Sequence, residues 1–283
     1  MEEHRSEKIR SCLERNREVL LHGDMQNGIC YDGIVDETTF GQQPVKIAVL
    51  LKGTSGSDSS GDTSLSYKDW DYIGWVKHQQ ADGEPQTIIT KTGEEKFLQD
   101  AFYSATYRKL CLWLCILQNL IKTHDGAYKQ FFHNGKVDKD RVRSVLNEVA
   151  IINLKKSWGA SSTDFNQLHA YAVSEDIQAI LREEMDLVDP QIILCGSFDV
   201  FQIAREVFCN NSDPVHSIQS EKSRGSTFYW MYTRDDRLLL NFYHPACRGK
   251  KDLFYAELAE EIFSKVLEEC KPFQEIRPEK GSV

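Results

Sequence analysis

Short runs of apolar residues alternate along this chain with longer segments in which apolar positions recur every three or four residues. A short continuous apolar run is typical of a strand that is buried on both faces, as in a parallel sheet. Four such runs predict strands at residues 45–51, 149–152, 192–195 and 238–243. A fifth strand is predicted at 228–233, because the turn residues Asp235-Asp236 separate it from the last run.

The segments with helical spacing lie between and around these strands. In the clearest of them, Leu110, Leu114, Leu117 and Ile121 fall on one face of a helix. The same spacing predicts helices over residues 5–21, 98–122, 165–188, 198–209 and 252–269. Strands that alternate with helices indicate a sheet covered on both faces. The expected fold class is therefore α/β, a three-layer α/β/α domain with a central, mainly parallel sheet.

Polar segments mark the limits of this domain and interrupt it. Residues 1–44 combine an N-terminal helix with a polar lead-in, and residues 271–283 form a polar tail. The α/β domain is expected to span residues 45–270. Polar insertions are expected near residues 77–97 and 123–140, the first with a hairpin around residues 86–91.

Composition narrows the setting of the protein. The 283 residues carry a formal net charge of -9, which argues against a broadly basic nucleic-acid surface but allows a local basic groove. The eight cysteines show no Cys-x-x-Cys spacing, so we expect reduced thiols and no metal. The charged N-terminus and the absence of a long apolar run predict a cytoplasmic protein with no membrane segment.

Two strand ends carry side chains that suit a nucleobase. Residues just past the carboxyl ends of parallel strands line the ligand crevice of an open α/β sheet. Asn153 follows the run at 149–152 with an amide that can donate and accept, and His244 follows the run at 238–243, before Pro245. We therefore expect both side chains to face one pocket.

Motifs at these strand ends, in this order, resemble the uracil-DNA glycosylase superfamily, most closely its bacterial and archaeal branches. Residues 151–156, Ile-Ile-Asn-Leu-Lys-Lys, are similar to the strand whose asparagine reads the base. Residues 189–197, Asp-Pro-Gln-Ile-Ile-Leu-Cys-Gly-Ser, resemble the strand between the two site motifs. Residues 243–246, Tyr-His-Pro-Ala, resemble the family's His-Pro-Ser motif. The likeness covers residues 45–265.

The resemblance implies a uracil-DNA glycosylase-like fold and a hydrolase that acts on DNA. Such a protein flips a uracil or a modified base out of DNA and hydrolyses its N-glycosidic bond, in DNA repair or in defence against phage. Asn153 would read the base, and His244 would stabilise the charge that leaves with it. The implied partner is DNA, modified or single-stranded, and the reaction requires neither a metal nor a cofactor.

The chain departs from the family after its first strand, where an acidic residue is expected near Gly53 and none is present. Asp58 and Asp62, in the following segment, become the candidates for orienting water. Gly53 allows close approach of the backbone to a base, and Tyr67 or Trp70 would stack on it. Phosphate contacts are predicted for a set of five cations: Lys155, Lys156, Arg248, Lys250 and Lys251.

Two other functions stay open. The same fold can bind modified DNA or nucleotides without catalysis, which the absent acid and the negative net charge favour. A cysteine-dependent α/β hydrolase would use Cys195 or Cys247 with His244, although packing is the expected role of Cys195 on its buried strand. The sequence gives no indication of the oligomeric state.

Overall fold

A computed structural model describes residues 4–21, 28–55, 69–80, 86–89, 95–98, 105–123, 127–159, 164–210, 213–223, 226–245, 247 and 250–270. The strands are β1 Cys30–Tyr31, β2 Gly33–Ile34, β3 Ile47–Ser55, β4 Trp70–Asp71, β5 Gln86–Ile89, β6 Glu95–Leu98, β7 Phe132–His133, β8 Lys136–Val137, β9 Val149–Gly159, β10 Ile192–Cys195, β11 His216–Gln219, β12 Thr227–Tyr232 and β13 Leu238–Asn241. The α-helices are α1 Arg5–Arg15, α2 Arg17–Leu20, α3 Glu37–Gly41, α4 Tyr72–Gln80, α5 Ala105–Thr123, α6 Lys139–Val142, α7 Phe165–Ala172, α8 Glu175–Val188, α9 Phe198–Phe208 and α10 Asp252–Glu269.

A seven-stranded sheet lies at the centre, in the order β11-β12-β13-β10-β3-β9-β2. Its four middle strands, β13, β10, β3 and β9, are parallel. These are the strands that the four apolar runs predict. Outside them, β11 and β12 on one side and β2 on the other pair antiparallel. The prediction of an α/β fold with a mostly parallel sheet is confirmed.

Side chains of the parallel strands alternate between two hydrophobic clusters. Ile47 and Val49 of β3 pack in the cluster that includes α5 and α10. Ala48 and Leu50 pack in the cluster that includes α1, α8 and α9. Each large apolar side chain buried in this way stabilises the fold by about 1.5–3 kcal/mol. Helices therefore cover both faces of the sheet, as a three-layer α/β/α arrangement requires.

The order of the parallel strands fixes where a crevice forms. Counted along the chain, β3 is first, β9 second, β10 third and β13 fourth, so they lie in the spatial order 2-1-3-4. The chain reverses its direction of travel across the sheet between β3 and β10. Ligands of open α/β sheets bind beyond the carboxyl ends of the strands at such a switch point. The site is therefore expected at the ends of β3 and β10.

The lead-in predicted for residues 1–44 belongs to the same fold as the rest. β2 adds an edge strand to the sheet beside β9, and α1 packs against α8. Ile9 and Leu13 of α1 are fully buried. The two strands in this segment contain only two residues each, which is too short for an apolar pattern to reveal.

β9 continues to Gly159, so the expectation that this strand ends at Asn153 is wrong. Beyond β10 and β13 it pairs with β3 in a two-stranded ribbon, in which Leu51 faces Asn153 and Gly53 faces Lys155. The expected loop after Leu51 begins later for the same reason, because β3 runs to Ser55. A lysine pair normally marks the end of a buried strand, but here Lys156 is buried within it.

Other elements differ in detail from the predicted ones. The hairpin expected around residues 86–91 is present as β5 and β6. The helix predicted over residues 165–188 is two helices, α7 and α8, and the second starts after Ser174. The insertion at 123–140 contains the β7–β8 hairpin and the start of α6. The strand β11 was not predicted.

Candidate functional site

His244 lies at the carboxyl edge of the sheet, three residues after β13. Its carbonyl accepts a hydrogen bond of 2.8 Å from the N–H of Cys247, so residues 244–247 form a tight turn with Pro245 at the second position, which proline favours. The buried Lys109 of α5 donates from its Nζ to the carbonyl of Cys247. The turn that carries His244 is thus attached to the helical layer beneath it.

An ion pair between β3 and α9 lies close enough to His244 to influence its pKa. Lys52 of β3 and Asp199 of α9 are 2.6 Å apart, and their side chains are 24% and 41% exposed. Burial lowers the pKa of His244, the charge of Lys52 lowers it further, and Asp199 partly opposes both. His244 is therefore a neutral imidazole at neutral pH, with one N–H to donate and one nitrogen to accept.

A cleft of about 470 Å³ opens next to His244, a volume typical of small-ligand sites. We call it the aromatic cleft, because Phe198, Phe228, Tyr229 and Tyr243 line it. Phe198 is 43% exposed, and its ring centroid lies 5.2 Å from that of Tyr229. The Tyr243 hydroxyl donates to Ser226 Oγ at 3.0 Å. Flat apolar faces with few polar atoms suit a planar heterocycle.

Gly196 allows β10 to end close against β3. A Cβ at this position would lie 2.7 Å from Leu51 Cδ2, which is closer than carbon atoms can approach. The N–H of Gly196 donates to the carbonyl of Leu50 at 2.9 Å. The next residue, Ser197, caps α9 by accepting from the N–H of Val200 at 3.2 Å. This start of α9 sets Asp199 in its first turn, facing Lys52.

Gly53 has a backbone reason for being glycine. Its φ is +152°, and a Cβ there would lie 3.1 Å from the Cβ of Lys155 on β9. Any other residue would be strained in this conformation and would press on the neighbouring strand. The backbone alone thus explains the glycine. The base contact predicted for Gly53 stays a prediction.

Asn153 is 1% exposed and is held by Asp32. Both its backbone N–H and its Nδ2 donate to Asp32 Oδ2, the latter at 3.0 Å. One of the two N–H groups of the side-chain amide is therefore engaged, which leaves the second N–H and Oδ1 as the groups that a ligand would have to contact. Because β3 and β10 separate β9 from β13, the backbones of these two strands lie roughly 14 Å apart. A ligand that touched both Asn153 and His244 would bridge the ends of β3 and β10.

Behind Asn153 lies a buried charge cluster formed by Asp32, Lys156 and Glu184, whose side chains are all fully buried. Lys156 Nζ donates to Asp32 Oδ1 at 2.7 Å and lies 2.6 Å from Glu184 Oε2. The second contact is an ion pair, and neither oxygen of Glu184 has a hydrogen bond with a described residue. The phosphate contact predicted for Lys156 does not fit this placement.

The cluster has two unusual pKa values. Burial raises the pKa of Glu184 to about 8, and the charge of Asp32 adds to the effect while Lys156 opposes it. Burial alone would lower the pKa of Lys156, but Asp32 and Glu184 outweigh it and raise that pKa. At neutral pH Glu184 therefore mostly keeps its proton, and the buried charges of Lys156 and Asp32 balance.

The other predicted site residues differ in exposure and in whether the structure describes them. Lys155 is half-buried, which lowers its pKa, while Lys250 and Lys251 are exposed and remain placed for phosphate contact. Trp70 lies in β4, but its side chain is outside the described part of the chain. The remaining four also lie outside the described residues, and their roles stay predictions: Asp58, Asp62, Tyr67 and Arg248.

The cysteines differ in their fitness as nucleophiles. Cys195 is fully buried in β10, and burial holds the pKa of its thiol well above the usual value. A thiol in this state is inert. Cys247 is half-buried, with its Sγ 3.8 Å from Lys109 Nζ. Of the two thiols considered for a hydrolase, Cys247 is the more exposed, and it closes the turn that begins at His244.

Sequence reasoning missed Lys52, Asp199, Asp32 and Glu184. A usable signal existed for Asp199, since it follows the Gly196-Ser197 turn at a strand end. Asp32 and Glu184 gave none, because their partner Lys156 is remote in sequence.

None of the described helices is both long and apolar enough to cross a membrane. Within the described ranges, no three His, Cys, Asp or Glu side chains are grouped so as to hold a metal ion. No protein-family model, no curated protein and no solved structure matches this chain.

Proposed function

We propose that the protein draws a nucleobase out of DNA and hydrolyses its N-glycosidic bond. One observation carries the proposal: a neutral His244, influenced by the Lys52–Asp199 pair, lines the aromatic cleft next to the switch point of the sheet. This combines a flat apolar surface, a hydrogen-bond donor and a fixed positive charge. A departing base needs all three.

The chemistry places negative charge on the base. The bond between the sugar carbon and the base nitrogen breaks, and its electron pair leaves with the base. Water bonds to the sugar carbon and gives up a proton, and the base takes one up. The N–H of His244 would stabilise the developing anion, since an oriented donor acts mainly on charge formed in the transition state. The ammonium of Lys52 adds a positive potential at the same place.

The reaction also needs a group that orients water. Among the described residues, Asp199 is the best candidate for this task. It pairs with Lys52, and its charge influences the pKa of His244. Asp58 and Asp62 remain candidates from the sequence. Asn153 would accept a ring N–H of the base through Oδ1, and its orientation is fixed by Asp32. A flipped base is commonly read by such contacts together with stacking.

The test is release of free base from DNA. Oligonucleotides containing uracil or modified bases, and phage genomic DNA, are incubated with the protein, and released bases are identified by mass spectrometry. On any substrate found, His244→Ala should slow single-turnover release by about a hundredfold or more while DNA binding changes little. His169→Ala is the matched control, because His169 lies on α7 and pairs with Glu206.

The outcomes separate the alternatives. DNA binding without release of any base would assign the protein to non-catalytic binding of modified DNA. Turnover that Cys247→Ser abolishes and His244→Ala leaves intact would point to cysteine chemistry. A wild-type rate in His244→Ala would make this histidine structural.

A further inference from the structure

A second and larger cleft, of about 1160 Å³, lies between the β7–β8 hairpin and the start of α10. We call it the basic cleft. α10 begins where the chain leaves the turn after His244, so the cleft lies at the same edge of the sheet as His244. Its other wall is the 123–140 insertion, which has no part in the site described above.

Cations dominate the basic cleft although the whole chain has a net charge of -9. It is lined by His133 and by five cationic side chains: Arg108, Lys136, Lys139, Lys250 and Lys251. Lys136, Lys250 and Lys251 are exposed, and none of the three forms an ion pair with a described residue. They are therefore available to an anionic ligand.

The three acidic residues of the lining are already engaged. Asp252 pairs with Arg108 at 2.8 Å, and Asp140 lies 3.3 Å from Arg143. Asp138 accepts the N–H of Arg141 at 3.3 Å as the cap of α6. Five cationic side chains against three carboxylates leave the lining with an excess of positive charge, so the local field is positive.

We propose that the basic cleft binds backbone phosphates of the DNA strand that flanks the nucleotide held at His244. The proposal rests on the proposed function. Lysine ammonium groups act as separate point charges rather than as a fork around one phosphate. Three of them, spread over two walls of the cleft, match successive phosphates of a strand better than a single nucleotide. The side chains of Val137 and Leu253 give the walls apolar surface for the sugars.

This binding mode also assigns the insertion at 123–140 a role. Lys136 faces the cleft from the hairpin, whereas Lys250 and Lys251 face it from the segment after His244. A DNA strand lying between the two walls would be contacted by lysines from both sides. The insertion contributes affinity without reading base identity, since phosphate contacts carry no sequence information.

The experiment measures DNA binding by fluorescence anisotropy over a range of salt concentrations. Non-substrate DNA is used, so that base release does not enter. The triple variant Lys136→Gln/Lys250→Gln/Lys251→Gln should bind about tenfold more weakly or worse, and the slope of log affinity against log salt should flatten by about 2 to 3. The matched control Lys8→Gln/Lys46→Gln/Lys129→Gln removes the same charge outside the cleft and should keep most of the wild-type slope.

A single variant isolates the hairpin. Lys136→Gln alone should flatten the slope by about 1, and Lys136→Arg should restore it. Unchanged affinity and slope in the triple variant, or equal losses in the control, overturn the proposal. Base release by the wild type combined with unaltered DNA binding by the triple variant would reject the basic cleft and keep the proposed function. A salt effect confined to the cleft variants, without base release from any DNA, would keep the cleft and reject catalysis.

Discussion

The protonation of His244 depends on its burial and on two charges, Lys52 of β3 and Asp199 of α9. Lys52 disfavours the imidazolium and Asp199 favours it, while burial disfavours it most. Lys52→Met should therefore raise the pKa of His244, and Asp199→Asn should lower it. NMR titration of the His244 ring, assigned by its loss in His244→Ala, measures both shifts.

Lys46→Met provides the control for this titration. Lys46 precedes β3 at the end opposite to Lys52. Six residues of extended strand place it roughly 20 Å from Lys52 and from the carboxyl edge of the sheet, where His244 lies. That distance exceeds the screening length at physiological salt, so the pKa of His244 should stay where it is. Shifts of the same sign in Lys52→Met and Asp199→Asn would contradict the electrostatic account.

Individual candidate residues could be named from the sequence where a strand pattern pointed at them. His244 was identified because an apolar run stops there before a proline. Asn153 was identified in the same way, but its burial and its bond to Asp32 were not, because the two residues are 121 positions apart. The Lys52–Asp199 pair spans 147 positions. Contacts of this range follow from strand order, which local patterns do not contain.

At the scale of elements, the buried charge cluster joins three parts of the chain. Asp32 comes from the edge segment beside β2, Lys156 from β9 and Glu184 from α8. Removing one partner of a buried ion pair leaves an unpaired charge in the core. Lys156→Met isolates Asp32, and we expect the free energy of unfolding to fall by about 3–5 kcal/mol.

Urea denaturation measures this loss, with Lys155→Met as the matched control. Lys155 is adjacent in β9 and only half-buried, so its replacement should change the stability by less than about 1 kcal/mol. A loss in Lys156→Met no greater than that of the control would show that the cluster contributes little to holding these elements together.

Most long elements were predictable and most short ones were not. The four parallel strands and α5, α9 and α10 carry enough apolar positions to show a period. β2 and β11 do not, and they are fixed by pairing with β9 and β12. The true length of β9 was hidden by Lys156, since a lysine indicates solvent until its buried partners are known.

At the scale of the whole molecule, the fold class followed from the alternation of strands and helices, but the strand order did not. An alternating pattern fits many orders of parallel strands. The observed order 2-1-3-4 is what brings the ends of β3 and β10 together and positions Lys52, Gly196 and Asp199 beside His244. The location of the site was thus a consequence of topology that the sequence pattern left open.

The stability of the whole molecule should depend on pH through Glu184. Its pKa is raised from 4.5 to about 8 in the folded state, so between these values the folded protein holds a proton that the unfolded chain has released. Folding is then favoured by protons, and the free energy of unfolding should fall as pH rises through this window, by up to roughly 1.4 kcal/mol per pH unit. Above pH 8 both states are ionised and the dependence ends.

Glu184→Gln removes this ionisation while keeping the shape of the side chain. From pH 5 to pH 8, the free energy of unfolding of the wild type should therefore fall relative to that of Glu184→Gln. Urea denaturation at each pH measures this difference. Glu183→Gln, at the exposed neighbour that pairs with Arg15, controls for the general loss of one carboxylate. Curves for wild type and Glu184→Gln that run parallel across this range would mean that Glu184 is already ionised in the core. In that case Lys156 would face two buried negative charges, and Asn153 would be held by a cluster with a net negative charge instead of a neutral one.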